Sequence, residues 1–381
     1  MNQDNRPVAG TPITRRNWLA LAASALAGCG GGGGGGVALL PGTGGTGIFA
    51  QGAIAGFGSV IVNGIKFDDS GAVVQIDGVA ASSQDLRLGM VAGVQGQRGV
   101  DPNLGIANRL DVWSIAQGPV TQVQSGQFVV AGMTIQTNTS TVYDGVSSTA
   151  VLVTGQTVVV WGLNAGADGR HWIATRLAVL PNPVARLFST GLVTVSSGQR
   201  SLNGMQLQGP LAAGLSAGQL VRIEGVLSNG NLTVSALKVI DLGSDSAQHD
   251  VEIEGVVTQV LSATRFMLGN TEVDSSAVAS PASPVTTGLR VDVHGTLQGQ
   301  LLKASALDVK TEQELDGAQI EGAIEQYTSL ANFVVRGQRC DASAATITQG
   351  RASDLKAGVK VKVEGTKAGD VLRVSRLEID D

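Results

Sequence analysis

The sequence predicts an all-β protein made of small β-barrels in tandem, and three observations predict it. One glycine-punctuated pattern recurs along the chain, which is typical of a repeat architecture. Glycine is about twice as frequent as in average proteins, with 53 residues in 381, and this favours many short strands and turns. Apolar residues make up 43% of the chain, enough to fill several cores, so the composition does not indicate disorder.

Residues 1–28 are predicted to be an export signal. Arg15 and Arg16 stand before the apolar run 18–27, and small residues follow that run. This order is typical of a signal peptide, and the run is too short to cross a bilayer, which takes roughly 20 residues. The sequence around the two arginines, residues 14–19, resembles a twin-arginine signal, with general secretion as the alternative.

Cys29 is the predicted membrane anchor. Residues 26–29, Leu-Ala-Gly-Cys, resemble a lipobox, in which the cysteine thiol is acylated and the cysteine becomes the first mature residue. An ordinary signal followed by a chance cysteine is the alternative. Residues 29–51 then form a glycine-rich, flexible linker. Gly30 stands where lipoproteins of the inner membrane often carry Asp, so the resemblance favours the outer membrane, facing the periplasm or the cell surface.

The recurring pattern places two glycines seven residues apart. The pairs are Gly89 and Gly96, Gly155 and Gly162, Gly218 and Gly225, Gly288 and Gly295, and Gly358 and Gly365. A leucine follows each second glycine after 12 to 15 residues, and a further glycine opens each copy. The copies delimit predicted β units at residues 52–114, 118–181, 189–242, 251–311 and 318–381.

The clearest copy, residues 219–239, indicates how one unit folds. Val221 and Ile223 alternate with polar residues, which is the period of a half-buried strand. The Asn-Gly pair at residues 229–230 is typical of a tight hairpin turn. We expect the glycine that ends the first strand, Gly225 in this copy, to allow a β-bulge or a sharp bend.

A second hairpin is predicted upstream in every copy, at residues 59–67, 127–135, 200–207, 265–273 and 332–340. Five or six short strands in about 60 residues favour a small closed or nearly closed barrel of the OB type, with a sandwich as the alternative. Because a unit of this size buries only about 60% of its unfolded surface, neighbouring units should pack end to end and stabilise one another.

The first copy resembles a known family. Residues 56–67 (GFGSVIVNGIKF), the Asp-Gly pair at 77–78 and residues 85–90 (DLRLGM) are similar to the bacterial secreted and lipoprotein family known only as domain of unknown function 5666. Its members carry tandem copies of this glycine-punctuated unit, and the likeness extends more loosely over residues 52–380. The resemblance implies an exported β module and transfers no catalytic residue.

Composition and motifs exclude several classes of function. The net charge of −5 gives no basic surface for nucleic acid. With Cys29 acylated, Cys340 has no partner, so a disulfide framework is excluded and a buried apolar role is expected. No cofactor is implied, because the G-x-G-x-x-G at residues 42–47 lies in a linker and the loop 164–169 lacks the carboxylates of a calcium site. The three histidines lack the spacing of metal ligands.

No acid, base or nucleophile recurs at a fixed place in the copies. The sequence therefore favours a lipid-anchored envelope protein with a non-catalytic binding or structural role, whose partners are the membrane and an envelope protein or glycan. The alternative is carbohydrate binding, for which Trp113, Trp161 and Trp172 are the candidate ligand contacts, since small barrels bind oligosaccharides on a strand face or its loops. A hydrolase is less favoured, because the sequence assigns no mutual geometry to a Ser, a His and an Asp.

Overall fold

The regular secondary structure of the described residues is almost entirely β-strand, as the sequence predicts. The computed structural model describes residues 47–184, 186–240, 250–278 and 284–380. Helix within these ranges is confined to short turns, namely Ser83–Asp85, Thr149–Val151, Pro210–Ala213, Glu312–Asp316 and Ala352–Asp354. In the part of the chain that is described, no helix is long and apolar enough to span a membrane.

The first set of strands closes into a ring. It comprises β1 (Gly47–Phe57), β2 (Val60–Val62), β3 (Ile65–Asp68), β4 (Val73–Ile76), β5 (Val79–Ala81), β6 (Val91–Arg98) and β7 (Leu104–Val112). Strands β1, β2, β3, β7 and β6 are hydrogen-bonded in that order, and β6 pairs back with β1. Only β3 and β7 run parallel within this ring. The result is a small barrel-like sheet, which β4 and β5 extend beside β7.

The same order of pairing recurs between residues 116 and 239. The strands are β8 (Ala116–Gln124), β9 (Gln127–Val130), β10 (Met133–Gln136), β11 (Val142–Asp144), β12 (Thr157–Asn164), β13 (His171–Val179), β14 (Leu187–Ser196), β15 (Gln199–Leu202), β16 (Met205–Gln208), β17 (Leu220–Ser228) and β18 (Asn231–Val239). Strands β8, β9, β10, β13 and β12 close the second ring. Strands β14, β15, β16, β18 and β17 close the third.

Two further rings follow between residues 250 and 379. Their strands are β19 (Asp250–Val260), β20 (Arg265–Leu268), β21 (Thr271–Asp274), β22 (Arg290–Gln298), β23 (Leu301–Val309), β24 (Gly317–Ser329), β25 (Asn332–Val335), β26 (Gln338–Asp341), β27 (Thr346–Gln349), β28 (Lys360–Ala368) and β29 (Val371–Ile379). Strands β19, β20, β21, β23 and β22 close the fourth ring. Strands β24, β25, β26, β29 and β28 close the fifth.

The predicted bulges lie at the second glycine of each pair. The pairing register shifts at Gly96, Gly162, Gly225, Gly295 and Gly365. At Gly225 an added Cβ would overlap the carbonyl oxygen of Thr233 on the neighbouring strand, well inside the 3.0 Å that real Cβ atoms keep. The bulge lets one strand bend around the barrel, and only glycine permits the close approach of the two backbones.

Interior and exterior residues alternate along the strands, but several exterior faces are also covered. In β17, Val221 and Ile223 are fully buried, as predicted. Arg222 points outward between them and is still only 8% exposed, because its guanidinium packs on the rings of Trp113 and Phe188. All eight residues of β12 are buried. The expectation of strands with one solvated face is therefore wrong where barrels meet.

Rings that pair in space are not always neighbours in the sequence. Strand β1 pairs in parallel with β19 of the fourth ring and with β24 of the fifth, whereas β8 pairs with β14 of the next ring. The first, fourth and fifth rings thus share one continuous sheet, and the second and third share another. The first ring also packs against the second, as expected of sequence neighbours, with Thr175 Oγ1 donating to the carbonyl of Gly89. The expectation of a simple end-to-end order is wrong, because the first ring pairs with the fourth and fifth as well. All described residues belong to one compact unit.

Candidate functional site

The residues predicted for export and anchoring lie outside the described part of the chain. These are Arg15, Arg16 and Cys29. Their roles stay predictions from the sequence.

The three tryptophans proposed as ligand contacts are engaged within the protein. Trp161 and Trp172 are only 4% and 6% exposed and belong to different apolar clusters. Trp113 is half-buried, and Lys238 Nζ lies 3.5 Å from the centroid of its ring, with Arg222 Cζ at 5.4 Å. The structure does not gather these residues into one exposed aromatic surface, which is what stacking on a sugar would require.

The cations around Trp113 belong to a buried contact between the first and third rings. Arg222 Nη2 donates to Asp77 Oδ1 at 2.8 Å, and the backbone N–H of Ser114 donates to the same oxygen at 2.8 Å. Burial raises the pKa of Asp77, and this outweighs the opposing effects of Arg222 and Ser114. The cluster joins two barrels and presents no accessible reactive group, so we assign it a structural role.

A serine, a histidine and an aspartate meet on the surface of the fourth ring. His294 Nε2 lies 2.5 Å from Asp250 Oδ1, and His294 Nδ1 lies 2.9 Å from Ser305 Oγ. The residue types are those of Ser–His–Asp hydrolases, but the two ring nitrogens are exchanged, because in those enzymes Nε2 faces the serine and Nδ1 faces the aspartate. Sequence reasoning missed it, because the three residues come from three different strands.

The position of Ser305 in its bulge gives it a structural explanation. Its hydroxyl donates to the carbonyl of His294 at 3.2 Å. Ser235 and Ser375 make the same bond across the bulges of the third and fifth rings, to Glu224 and Glu364. Because the serine caps the bulge carbonyl whether or not a histidine is present, the contact with His294 needs no catalytic role to account for it.

Cys340 is buried, as the sequence predicts, at 1% exposure. Burial raises the pKa of its thiol to about 12, so the thiol stays protonated and unreactive at neutral pH. Among the described residues, no group of three or more His, Cys, Asp or Glu side chains has the arrangement of a metal site.

An open cleft of about 340 Å³ lies on the outer face of β8, β9 and β10, beside the turn that joins β12 to β13. Residues of these strands alternate between the core and the outer face, so Phe128 is buried while its neighbours point outward. The polar side chains that line the cleft are Gln122, Gln124, Gln127, Thr134, Gln136 and His171. We call this surface the amide face.

Two rows of side chains cross the amide face. In one row Gln124, Gln127 and Gln136 stand opposite one another on adjacent strands, and Gln127 Nε2 donates to Gln124 Oε1 at 2.6 Å. The members of the other row are Gln122, Val129, Thr134 and His171. Residues directly opposite one another have Cβ atoms about 5 Å apart, so each row is continuous across the strands, and Val129 is the apolar member of the second row.

The amide face is polar but almost free of charge. None of the described residues that line it is Asp, Glu, Lys or Arg. At its rim, His171 Nδ1 lies 3.0 Å from Asp168 Oδ2, and the N–H of Arg170 donates to Asp168 Oδ1 at 2.9 Å. Burial raises the pKa of Asp168, but the bonds from Arg170 and His171 outweigh this effect and lower it. The face can donate and accept hydrogen bonds, and it pairs no nucleophile with a base.

Sequence reasoning missed the amide face because it searched for aromatic and catalytic residues. The signal is present in the strands themselves. Gln122 and Gln124 alternate with apolar residues in β8, and Gln136 follows the same alternation in β10. Outward glutamines on neighbouring strands indicate a neutral polar surface, although the alternation alone does not tell whether another barrel covers it.

Two segments of the chain match the family model described as Domain of unknown function (DUF5666), residues 117–178 and 321–377. They cover the second and fifth rings. The match supports the resemblance to this family, but residues 56–90, on which the resemblance rested, lie outside the matched segments. No curated protein matches the chain.

Proposed function

We propose that this protein is a non-catalytic binding protein of the cell envelope, anchored through a lipid on Cys29 and assembled from five OB-like modules. The observation that carries the proposal is the uncharged cleft on the amide face. In this proposal the second module binds the ligand. The other four modules pack with the second module into one compact body.

The strand order supports the OB-like assignment. In each ring the third and fifth strands run parallel, and the other neighbours are antiparallel, in a barrel of five strands. The OB-fold is a five-stranded Greek-key barrel that binds ligands on the face of its second and third strands and in the loops between strands 1 and 2 and between strands 4 and 5. In the second ring these strands are β9 and β10, and the cleft lies on them.

The absence of recurring chemistry supports a role other than catalysis, and Ser305 allows a direct test. A fluorophosphonate probe, which labels activated serines, should leave the purified protein unlabelled. Labelling that disappears in Ser305→Ala but persists in Ser375→Ala, the matching bulge serine of the fifth ring, would overturn the non-catalytic assignment.

The lipid anchor is supported by the order of charge, apolar run and cysteine at the amino terminus. Cells that express the full chain are fed an alkyne fatty acid. Cys29→Ser, or globomycin treatment, should abolish labelling and release the protein from membranes, whereas Cys340→Ser should keep both the label and the membrane association. Unchanged membrane retention of the Cys29→Ser protein would contradict the anchor.

Ligand binding at the amide face is tested in cells with a benzophenone amino acid at position 124. The control carries it at Ser329, which occupies the same register position in the fifth ring and is also exposed. Irradiation should give an adduct at position 124 and none at position 329. No adduct at either position, or equal amounts at both, would contradict a binding role for this face.

A further inference from the structure

We infer that the ligand of the amide face is an uncharged, hydroxyl-rich chain, that is, a neutral oligosaccharide or a segment of a neutral polysaccharide. The inference rests on the proposed binding function and adds the chemical class of the ligand.

The side chains of the amide face match hydroxyl groups in hydrogen-bonding capacity. Each glutamine amide offers two N–H donors and an acceptor oxygen, and the hydroxyl of Thr134 both donates and accepts. Among the described residues, no protein group is hydrogen-bonded to the side-chain amides of Gln122 and Gln136, and both side chains are exposed. A ligand whose groups also donate and accept, as sugar hydroxyls do, can pair with such a surface in either direction.

The lack of charge argues against anionic ligands. Proteins that bind single-stranded nucleic acid combine a positively charged groove with stacking aromatic rings. The amide face has no lysine, arginine, tyrosine or tryptophan among its described lining residues, and the ring of Phe128 is 1% exposed. Phosphate- or sulfate-bearing chains therefore find neither counter-charges nor a stacking platform here.

The closed ring argues against an extended peptide. Peptides that dock on sheets usually add a strand to a free edge, where backbone N–H and C=O groups lack partners. Strand β9 pairs with β8 on one side and β10 on the other, and β10 pairs with β13. The strands beneath the cleft thus offer side chains rather than free backbone groups.

The fifth ring provides a comparison within the same chain. The register places Arg339 and Asp341 of β26 where β10 has Thr134 and Gln136. Arg339 there forms an ion pair with Asp370. The same barrel scaffold therefore carries a charged surface in the fifth ring and a neutral one in the second, so the neutrality of the amide face comes from its own side chains.

The test is a binding panel with the purified mature protein. Saturation-transfer NMR and calorimetry are run with three neutral hexasaccharides (an α-1,4-glucan, a β-1,4-glucan and a β-1,4-linked N-acetylglucosamine chain), with a heparin hexasaccharide, and with a thymidine 15-mer. At least one neutral hexasaccharide should bind, with an affinity that is unchanged between 50 and 200 mM salt, since no counterions are released.

Two double variants locate the binding. Gln122→Ala/Gln136→Ala should weaken binding of the neutral sugar about tenfold or more, from the loss of two hydrogen-bonding groups. Gln326→Ala/Asp341→Ala changes the matching positions of the fifth ring, of which Gln326 is exposed and Asp341 is half-buried, and should leave the affinity unchanged. Circular dichroism spectra of both variants should equal the wild-type spectrum, because none of these side chains belongs to an apolar cluster.

The outcomes separate the ligand class from the binding site. Binding of only the heparin or DNA probe, or of no neutral hexasaccharide, would overturn the inference, and so would sugar binding that the Gln122→Ala/Gln136→Ala variant retains. If the crosslinker at position 124 still captures a ligand in cells, the proposed binding function stands and only the ligand class is wrong. If both experiments are negative, both proposals fail.

Discussion

Replacing Asp292 by asparagine tests how a buried carboxylate of the fourth ring affects stability. Asp292 lies on β22 and is 6% exposed. Its Oδ2 lies 3.3 Å from Lys310 Nζ, while its Oδ1 has no hydrogen-bond partner among the described residues. Burial raises the pKa of Asp292 to about 7, Lys310 acts in the opposite direction, and Glu252 and Glu254 raise the pKa further.

The sign and size of the effect follow from this pKa. The folded protein keeps a proton on Asp292 that the unfolded chain releases near the ordinary pKa of 3.8. The stabilisation that the bound proton provides is fully present below pH 3.8. It is lost as pH rises towards about 7, so the free energy of unfolding falls over this range. At about 1.4 kcal/mol per pH unit, the total is roughly 4 kcal/mol, of which roughly 2.5 kcal/mol is lost between pH 5 and 7.5.

The assay compares urea denaturation of the full chain at these two pH values, followed by circular dichroism. Asp292→Asn removes the titrating group, so its free energy of unfolding should fall between pH 5 and 7.5 by roughly 2.5 kcal/mol less than that of the wild type. The control is Asp308→Asn, which removes the same charge from the exposed position opposite Asp292 on β23 and should follow the wild type. Parallel pH dependence of Asp292→Asn and the wild type would refute the reasoning.

Three further predictions concern a bulge glycine, an ion pair between two rings and a buried thiol. Gly225→Ala should lower the free energy of unfolding by about 2–4 kcal/mol, because the added Cβ would overlap the carbonyl of Thr233. The control Gly214→Ala should not, because the space around Gly214 is open. Equal urea midpoints for the two variants would contradict the bulge argument. Arg222→Met should lower the free energy of unfolding by about 2–3 kcal/mol, because it leaves Asp77, which is 20% exposed and still bonded to Ser114, without its cationic partner. Adding Asp77→Asn should recover part of that loss in the same urea assay; no recovery would mean that the ion pair is not the cause. Cys340 should react with a thiol reagent at pH 8 only after unfolding, since burial raises its pKa to about 12; reaction of the folded protein at the rate of a free cysteine would show that the thiol is accessible.

The local structure of the barrels could be predicted from the sequence because it depends on short-range constraints. Val221 and Ile223 alternate with polar residues, and this alternation alone specifies a strand with one apolar face. The Asn229–Gly230 turn adopts positive φ at both residues, 50° and 79°, as an Asn-Gly hairpin requires. The bulge at Gly225 was also predictable, since a glycine at the end of a strand marks a close backbone approach.

The candidate site was not predictable in the same way. Trp161 occupies an outward position in its strand, so the alternation predicts exposure, yet it is 4% exposed because its face of β12 packs in the apolar cluster that includes the first ring. The outward glutamines of β8 and β10 follow the same alternation and stay accessible. Sequence periodicity distinguishes the inside of a barrel from the outside, but it carries no information on which outer faces meet.

The sequence by itself therefore determined the β class, the hairpins and the bulges, because these depend on residues close along the chain and on the steric freedom of glycine. The tertiary structure alone decided that β1 pairs with β19 and β24, that Arg222 is buried against Trp113, and that the amide face stays open. These features depend on contacts between residues far apart along the chain, such as the bond from the N–H of Ala53 to Glu254 at 2.9 Å, which joins residues 201 positions apart. Their energies arise only when complementary outer surfaces of separate barrels meet and exclude water.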